Sequence, residues 1–183
     1  GEKCDDFQNG DLTMTMISTE KGKTILVEHD VMTPRPYSRM YQIVGSDGYA
    51  GKYPTQQICL RDNAAEGTST DFQNLGREVV YSGDRLKALM EENRNPILTP
   101  ELEALAKEVG GHGGMDFIMD YRLIYCLRNG LPLDMDVYDM AEWCCLTELG
   151  RISMENGNAP VEVPDFTRGA WDQVKGFSYA FAE

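Results

Sequence analysis

The sequence predicts an α+β fold: an open mixed or antiparallel β-sheet with helices packed on one face. Three observations carry that reading. Apolar residues alternate with a period of two through the first third of the chain. Beyond a polar Gly/Ser/Thr-rich stretch, Asn63 to Gly76, the pattern changes to helical spacing bounded by capping residues. Strands precede helices, and the links between strands are too short for crossover helices. A chain of 183 residues can hold one well-cored domain, and neither an internal repeat nor a shift in composition marks a second. One domain over residues 1–183 is therefore expected, with strands mainly in 11–62 and helices mainly in 82–157.

The elements follow in order. DLTMTMIST (Asp11 to Thr19) sets Leu12, Met14 and Met16 against Thr13, Thr15 and Ile17. EKGK makes a turn. KTILVEHDVM (Lys23 to Met32) sets Ile25, Val27, His29 and Val31 against Leu26, Glu28, Asp30 and Met32, which completes a hairpin. TPRPYSR carries two prolines and breaks pairing. RMYQIVGSDG (Arg39 to Gly48) reads as a third strand ending in a turn, and QQICLRD (Gln56 to Asp62) as a short fourth. The first helix starts behind Ser82 in SGDRLKALMEEN. The second has Thr99 as N-cap, Pro100 at its first position and a glycine stop. MDFIMDYRLIYCLRNG is a mostly apolar helix stopped by Asn129-Gly130. A fourth helix runs from about Asp134 to Asn156, and the APVEVPDFTRGAW tail is extended.

Composition narrows the function. A formal net charge of -13 repels nucleic acid and anionic membrane, so neither is expected as a partner. A neutral, hydroxyl-rich small molecule is compatible with such a surface. No run approaches the roughly 20 apolar residues that span a bilayer. Five cysteines, Cys4, Cys59, Cys126, Cys144 and Cys145, lack the spacing of a zinc site or a disulfide framework. Cys126, Cys144 and Cys145 lie in apolar helical patterns and are expected as buried free thiols. Two histidines are too few for a His-based metal cluster, and no metal site is expected. The polar opening GEKCDDFQNGD shows neither signal peptide nor initiator Met, the pattern of a piece of a longer protein.

Several segments could carry chemistry. In GGHGGMD (Gly110 to Asp116), glycines permit positive φ and close backbone approach, and His112 could reach a substrate. The alternative is a cap and tight turn, with His112 satisfied by backbone. The segment does not follow a strand and lacks GxGxxG spacing, so it is no dinucleotide fingerprint. In TPRPYSR (Thr33 to Arg39), Tyr37 could present its ring or hydroxyl to a sugar, and Arg35 and Arg39 could bind acceptor oxygens. The alternative is a structural turn with its arginines paired to carboxylates. Asp134, Asp136 and Asp139 resemble an acid pair, but at a helix start capping explains them better. Asp165 reads as a turn-former, His29 as a core or interstrand residue, and Trp143 and Trp171 as packing residues. No nucleophile–base pair emerges, so no catalytic residue is assigned.

The strings KGKTILVEHDVMTPRPYSR, GSDGYAGKYP, GGHGGMDFIMDYRLIYCLRNGLPLDMDVYDMAEWC and NGNAPVEVPDFTRGAW together resemble the C-terminal part of glycoside hydrolase family 109. The resemblance runs from Asp11 to Trp171 and is weaker from Asn63 to Ser82. That family comprises NAD-dependent α-N-acetylgalactosaminidases of the Gfo/Idh/MocA oxidoreductase superfamily. The resemblance implies a C-terminal substrate and oligomerisation domain, with the N-terminal NAD-binding Rossmann domain missing from this chain. Strands that precede Gly1 in the family would leave the sheet incomplete. NAD is thus expected as cofactor of the full-length parent and not of this fragment, which alone is expected to be inactive. The implied mechanism is hydride removal from the sugar 3-position, elimination, water addition and hydride return. Tyr37 matches a family tyrosine that contacts the sugar. Arg35, Arg39 and His112 are carried as further substrate-binding candidates. The family also implies homodimers or larger assemblies through the sheet face, and an exported, periplasmic bacterial protein. The alternative function is a non-catalytic, sheet-mediated dimerisation domain.

Overall fold

The computed structural model describes residues 11–61 and 78–173. The expectations for Cys4 and for the loop Asn63 to Gly76 lie outside those residues. The fold is α+β, with every described strand pair antiparallel. The chain divides into two compact units, Gly1–Asn93 and Arg94–Glu183.

In the first unit, β1 (Leu12–Ser18) and β2 (Thr24–Asp30) form the expected hairpin, with Leu12 opposite Asp30 and Ser18 opposite Thr24. Its turn is closed by Thr19, whose N–H donates to the Lys23 carbonyl and whose hydroxyl accepts from the Lys23 N–H. Paired residues share a face. Leu12, Met14, Met16 and Leu26 therefore lie on one side with Glu28 and Asp30, while Thr13, Thr15, Ile17, Ile25, Val27 and His29 lie on the other. His29 is exposed, which corrects the core reading: alternation selects its cross-strand neighbour, Thr13, but not what covers its face.

A second sheet runs β3 (Gln42–Val44), β4 (Gly48–Gly51), β5 (Gln57–Arg61) and β6 (Glu78–Tyr81), in that order. The third strand is shorter than the sequence suggested, because Met40 takes a positive φ of 46° and delays pairing until Gln42. The GSDG turn leads into β4, a strand of Gly-Tyr-Ala-Gly with little intrinsic strand preference. It exists because β3 and β5 satisfy its backbone on both sides. Helix α1 (Gly83–Glu92) packs on β5 and β6 and buries Leu86. Ser82 occupies its N-cap position without a side-chain hydrogen bond.

The second unit holds α2 (Pro100–Val109), a single 3-10 turn (His112–Gly114), α3 (Met115–Asn129) and α4 (Val137–Glu155). Local sequence explains each boundary. The Thr99 hydroxyl accepts from the Leu102 N–H at 3.2 Å, and Pro100 opens α2. Gly130, at φ 64°, ends α3 in the left-handed conformation, and its N–H donates to the Cys126 carbonyl. Asp136 caps α4 by accepting from the N–H groups of Tyr138 and Asp139, while the Asp139 carboxylate accepts from the Asp136 N–H.

The buried apolar side chains of this unit, among the described residues, are Ile97, Leu102, Ala106 and Cys126. Helix α4 buries none of its own residues. Trp143 is consequently exposed, as is Trp171, and Cys144 is exposed while Cys145 is half-buried. These correct the packing expectation for Trp143 and Trp171 and the buried-thiol expectation for Cys144 and Cys145, whereas Cys126 is the buried free thiol expected. Burial needs a surface against the residue's own face, which an apolar run alone cannot supply. Asp165 is the turn-former expected, accepting from the N–H groups of Thr167 and Gly169 and from the Thr167 hydroxyl.

Candidate functional site

The loop after β2 is held by its first arginine. Asp30, at the strand's end, accepts from the N–H groups of Met32 and Thr33 at 3.2 and 3.0 Å and from the Thr33 hydroxyl. Those bonds, the Thr33 hydroxyl first, hold the Asp30 carboxyl below its ordinary range. Arg35 donates through Nη1 to Glu28, through Nη2 to Asp30 at 2.6 Å and through Nε to the Thr33 hydroxyl at 3.1 Å. These are the contacts of a structural turn with its arginine paired to carboxylates, one of the two readings left open by the sequence. Arg35 fixes where the rest of the loop stands.

Tyr37 and Arg39 stand differently. Tyr37 is 71% exposed. Its ring meets Tyr53 edge to face, with centroids 6.0 Å apart and planes at 83°. Its hydroxyl accepts from Arg39 Nε at 2.5 Å. That bond, followed by contact with Tyr41, raises the Arg39 guanidinium above its ordinary value and keeps it charged. The β3–β4 hairpin explains the grouping. Gln42 opposite Gly51 places Tyr41 beside Lys52, whose N–H donates to the Tyr41 carbonyl at 3.0 Å. Tyr53 follows, with the Lys52 ammonium 5.9 Å from its ring centroid.

The result is a surface of tyrosine rings with two cations on a chain of strongly negative charge. Ring faces can stack on the C–H side of a sugar, and the cations and hydroxyls can donate to its oxygens. The sequence reading missed Tyr41, Lys52 and Tyr53. The aromatic-basic pattern of GKYP was a usable signal, hidden because the segment read only as a turn.

His112 belongs to the second unit, so the four sequence-predicted binding residues divide between the two units. The GGHGG segment is a helix-to-helix turn in which all five residues take positive φ: 85° at Gly110, 77° at Gly111, 45° at His112, 72° at Gly113 and 97° at Gly114. Glycine is required most firmly at 114, where a Cβ would stand 2.8 Å from the backbone carbonyl of Ala106 in α2. His112 is not satisfied by backbone, as the structural alternative supposed. Its Nδ1 lies 2.7 Å from Asp116 Oδ2.

A cleft of about 680 Å³ opens in the same unit, lined by Gly113, Met115, Met119 and Leu123 and by the ion pair of Arg122 with Asp134. Asp134 is therefore no cap, which corrects that part of the acid-cluster reading. The Arg122 hydrogen bonds lower the Asp134 carboxyl, and the same pairing raises Arg122.

The GGHGG turn is not built as a dinucleotide-binding loop. The turn follows a helix rather than a strand. Its Gly110 and Gly114 N–H groups are spent on the carbonyls of Ala106 and Gly111, and the Asp116 carboxylate faces it. A pyrophosphate needs free N–H groups and no facing anion.

The family described as "Glycosyl hydrolase 109, C-terminal domain" matches residues 2–173. Curated relatives agree. The chain is 62% identical over its whole length to glycosyl hydrolase family 109 protein 1 of Bacteroides thetaiotaomicron, of which it covers 39%. It is 63% identical to the family 109 protein of Porphyromonas gingivalis, again covering 39% of it. Against family 109 protein 3 of Phocaeicola vulgatus identity is 47%, covering 33%. The chain thus spans well under half the length of the relatives it matches.

Proposed function

This chain belongs to glycosyl hydrolase family 109, as its C-terminal domain, and on that premise we propose that it is the substrate-side domain of a glycosidase acting on α-N-acetylgalactosaminides or related sugars. The carrying observation is the exposed Tyr37, braced by Arg39 and Tyr53 on a loop that Arg35 ties to β2. A ring held this way loses little freedom when a sugar binds. Tyr37 and Arg39 contact the sugar, and Arg35 keeps the loop in place. NAD is the cofactor of the full-length protein and is held outside this chain.

The test is release of an aryl leaving group from aryl α-N-acetylgalactosaminide by the full-length protein, with and without added NAD. NAD-dependent release that fails on the β-linked substrate is expected. No release from any N-acetylhexosaminide in a panel of both anomers overturns the reading.

One observation favours a second role for the same domain. Leu12, Met14, Met16 and Leu26 stand exposed together on one face of the β1–β2 hairpin. A contiguous apolar face of that kind suits pairing with a second copy of the chain. Sugar contact and self-association use different residues and are compatible.

A further inference from the structure

We propose that Arg39 and Lys52 form an anion subsite beside Tyr37, which takes a sulfate ester or carboxylate on the sugar that carries the N-acetylgalactosamine. The inference rests on the glycosidase reading and narrows its substrate class to acidic glycans. Every residue it uses lies in the first compact unit.

The two cations converge on one pair of rings. Tyr37 and Tyr53 meet edge to face with centroids 6.0 Å apart. The Arg39 guanidinium carbon stands 5.9 Å from the Tyr37 centroid, and the Lys52 ammonium stands 5.9 Å from the Tyr53 centroid. Strand pairing brings the groups together: the β3–β4 register continues through the Lys52 N–H, which donates to the Tyr41 carbonyl at 3.0 Å. Lys52 flanks the second ring, so it addresses the sugar next to the one seated on Tyr37.

What holds these cations does not neutralise them. Arg35, Arg61, Arg94, Arg122 and Arg151 are each matched by a carboxylate. Arg39 and Lys52 form no ion pair with any described residue. Arg39 instead donates through Nε to the Tyr37 hydroxyl at 2.5 Å and contacts Tyr41, both of them phenols. The guanidinium is thereby oriented with its charge intact. Its planar fork of five N–H donors matches the paired oxygens of a carboxylate or sulfate. Both cations are exposed. The carboxylates of the adjoining strand do not compete, because Glu28 and Asp30 are tied to Arg35. A chain of net charge -13 repels anions at long range. Two unmatched cations on the sugar surface reverse that field locally, and such complementarity selects a ligand of opposite charge. A neutral sugar would be served as well by hydroxyls and amides.

The test is calorimetric titration of the full-length protein with a carbon-linked, uncleavable disaccharide of α-N-acetylgalactosamine on galactose. It is used in neutral form, with a sulfate ester on the galactose, and with galacturonate in place of galactose. At low salt at least one acidic form should bind about threefold or more tighter than the neutral one, the scale of exposed charge pairs. Raised ionic strength should shrink that preference. Lys52→Gln should reduce it, Lys52→Arg should keep it, and Lys52→Gln combined with Arg39→Gln should abolish it. A merely structural role would move all three affinities together and leave their ratio unchanged. If the double variant does not fold, Lys52→Gln, at an exposed side chain, decides. A preference for one acidic form alone assigns the subsite to that group. Equal affinity for all three forms overturns the inference, as does a preference that Lys52→Gln leaves intact. Turnover of the oxygen-linked counterparts reads the glycosidase separately. Cleavage with no acidic preference refutes only the subsite, and an acidic preference in binding with no cleavage of any form refutes only the glycosidase reading.

Discussion

Arg122 and Asp134 meet through two parallel hydrogen bonds, Nε to Oδ2 at 2.8 Å and Nη2 to Oδ1 at 2.7 Å. The pair ties the segment between α3 and α4 to the middle of α3, and the arginine side chain is only 6% exposed. Removing one partner of such a pair costs far more than the pair contributes net, because the other charge stays buried. Asp134→Ala should destabilise folding by about 3–5 kcal/mol, and Asp134→Asn, which keeps one acceptor, by about 1–3 kcal/mol. Urea unfolding followed by circular dichroism measures both.

The same pair gives an acid-dependent stability term. Arg122 lowers the folded-state value of Asp134, so its contribution is fully present above the unfolded aspartate value of about 3.9. It fades as pH falls through the lower folded value. The stability gap between wild type and Asp134→Asn should therefore be constant above about pH 5 and shrink below about pH 4. A gap that persists unchanged at pH 2.5 would assign the effect to packing instead.

Gly114 and Gly113 offer an internal comparison. Both have positive φ, but a Cβ at 114 strikes the Ala106 backbone at 2.8 Å, whereas one at 113 meets nothing within 4 Å. Gly113→Ala should cost only the backbone penalty, about 1–2 kcal/mol. Gly114→Ala adds a clash that α2 and α3 can relieve only by separating, so its loss should exceed that of Gly113→Ala by at least about 1 kcal/mol. Equal melting temperatures for the two variants would refute the close approach.

Tyr37→Phe isolates one hydroxyl. The ring and its edge contact with Tyr53 survive, while the hydroxyl that accepts from Arg39 is lost. Losing one neutral hydrogen bond to a sugar oxygen costs about 0.5–1.5 kcal/mol, or roughly threefold to tenfold in turnover of an α-N-acetylgalactosaminide by the full-length protein. NAD content and melting temperature should not change. Unchanged kinetics across substrates would reduce TPRPYSR to a structural turn.

Self-association is expected to track the hairpin face. Met14→Glu with Met16→Glu places two like charges on an apolar surface without touching a buried residue. Sedimentation velocity should show an assembly for the wild type that the double variant weakens. A strict monomer for the unsubstituted chain at high concentration would refute the reading.

Much of the architecture was legible because its causes are local. Thr99, Pro100 and Gly110 mark α2, Gly130 ends α3, and Asp136 with Asp139 caps α4, all through bonds within a few residues. The β1–β2 hairpin was legible for the same reason, since alternation and a short turn specify both faces. Tyr37 could be singled out because two prolines stiffen its loop.

What only the tertiary structure decided depends on groups distant along the chain. β4 is a strand because β3 and β5 flank it, whatever its own residues prefer. Tyr53 joins Tyr37 because hairpin pairing carries it back across a gap of sixteen positions. Asp134 leaves its neighbours Asp136 and Asp139 to bind Arg122, one α-helix earlier. Spacing in sequence sets what a side chain can reach locally. Which partner it takes is set where a better hydrogen-bond geometry, and a charge that must not stay buried alone, lies across the fold.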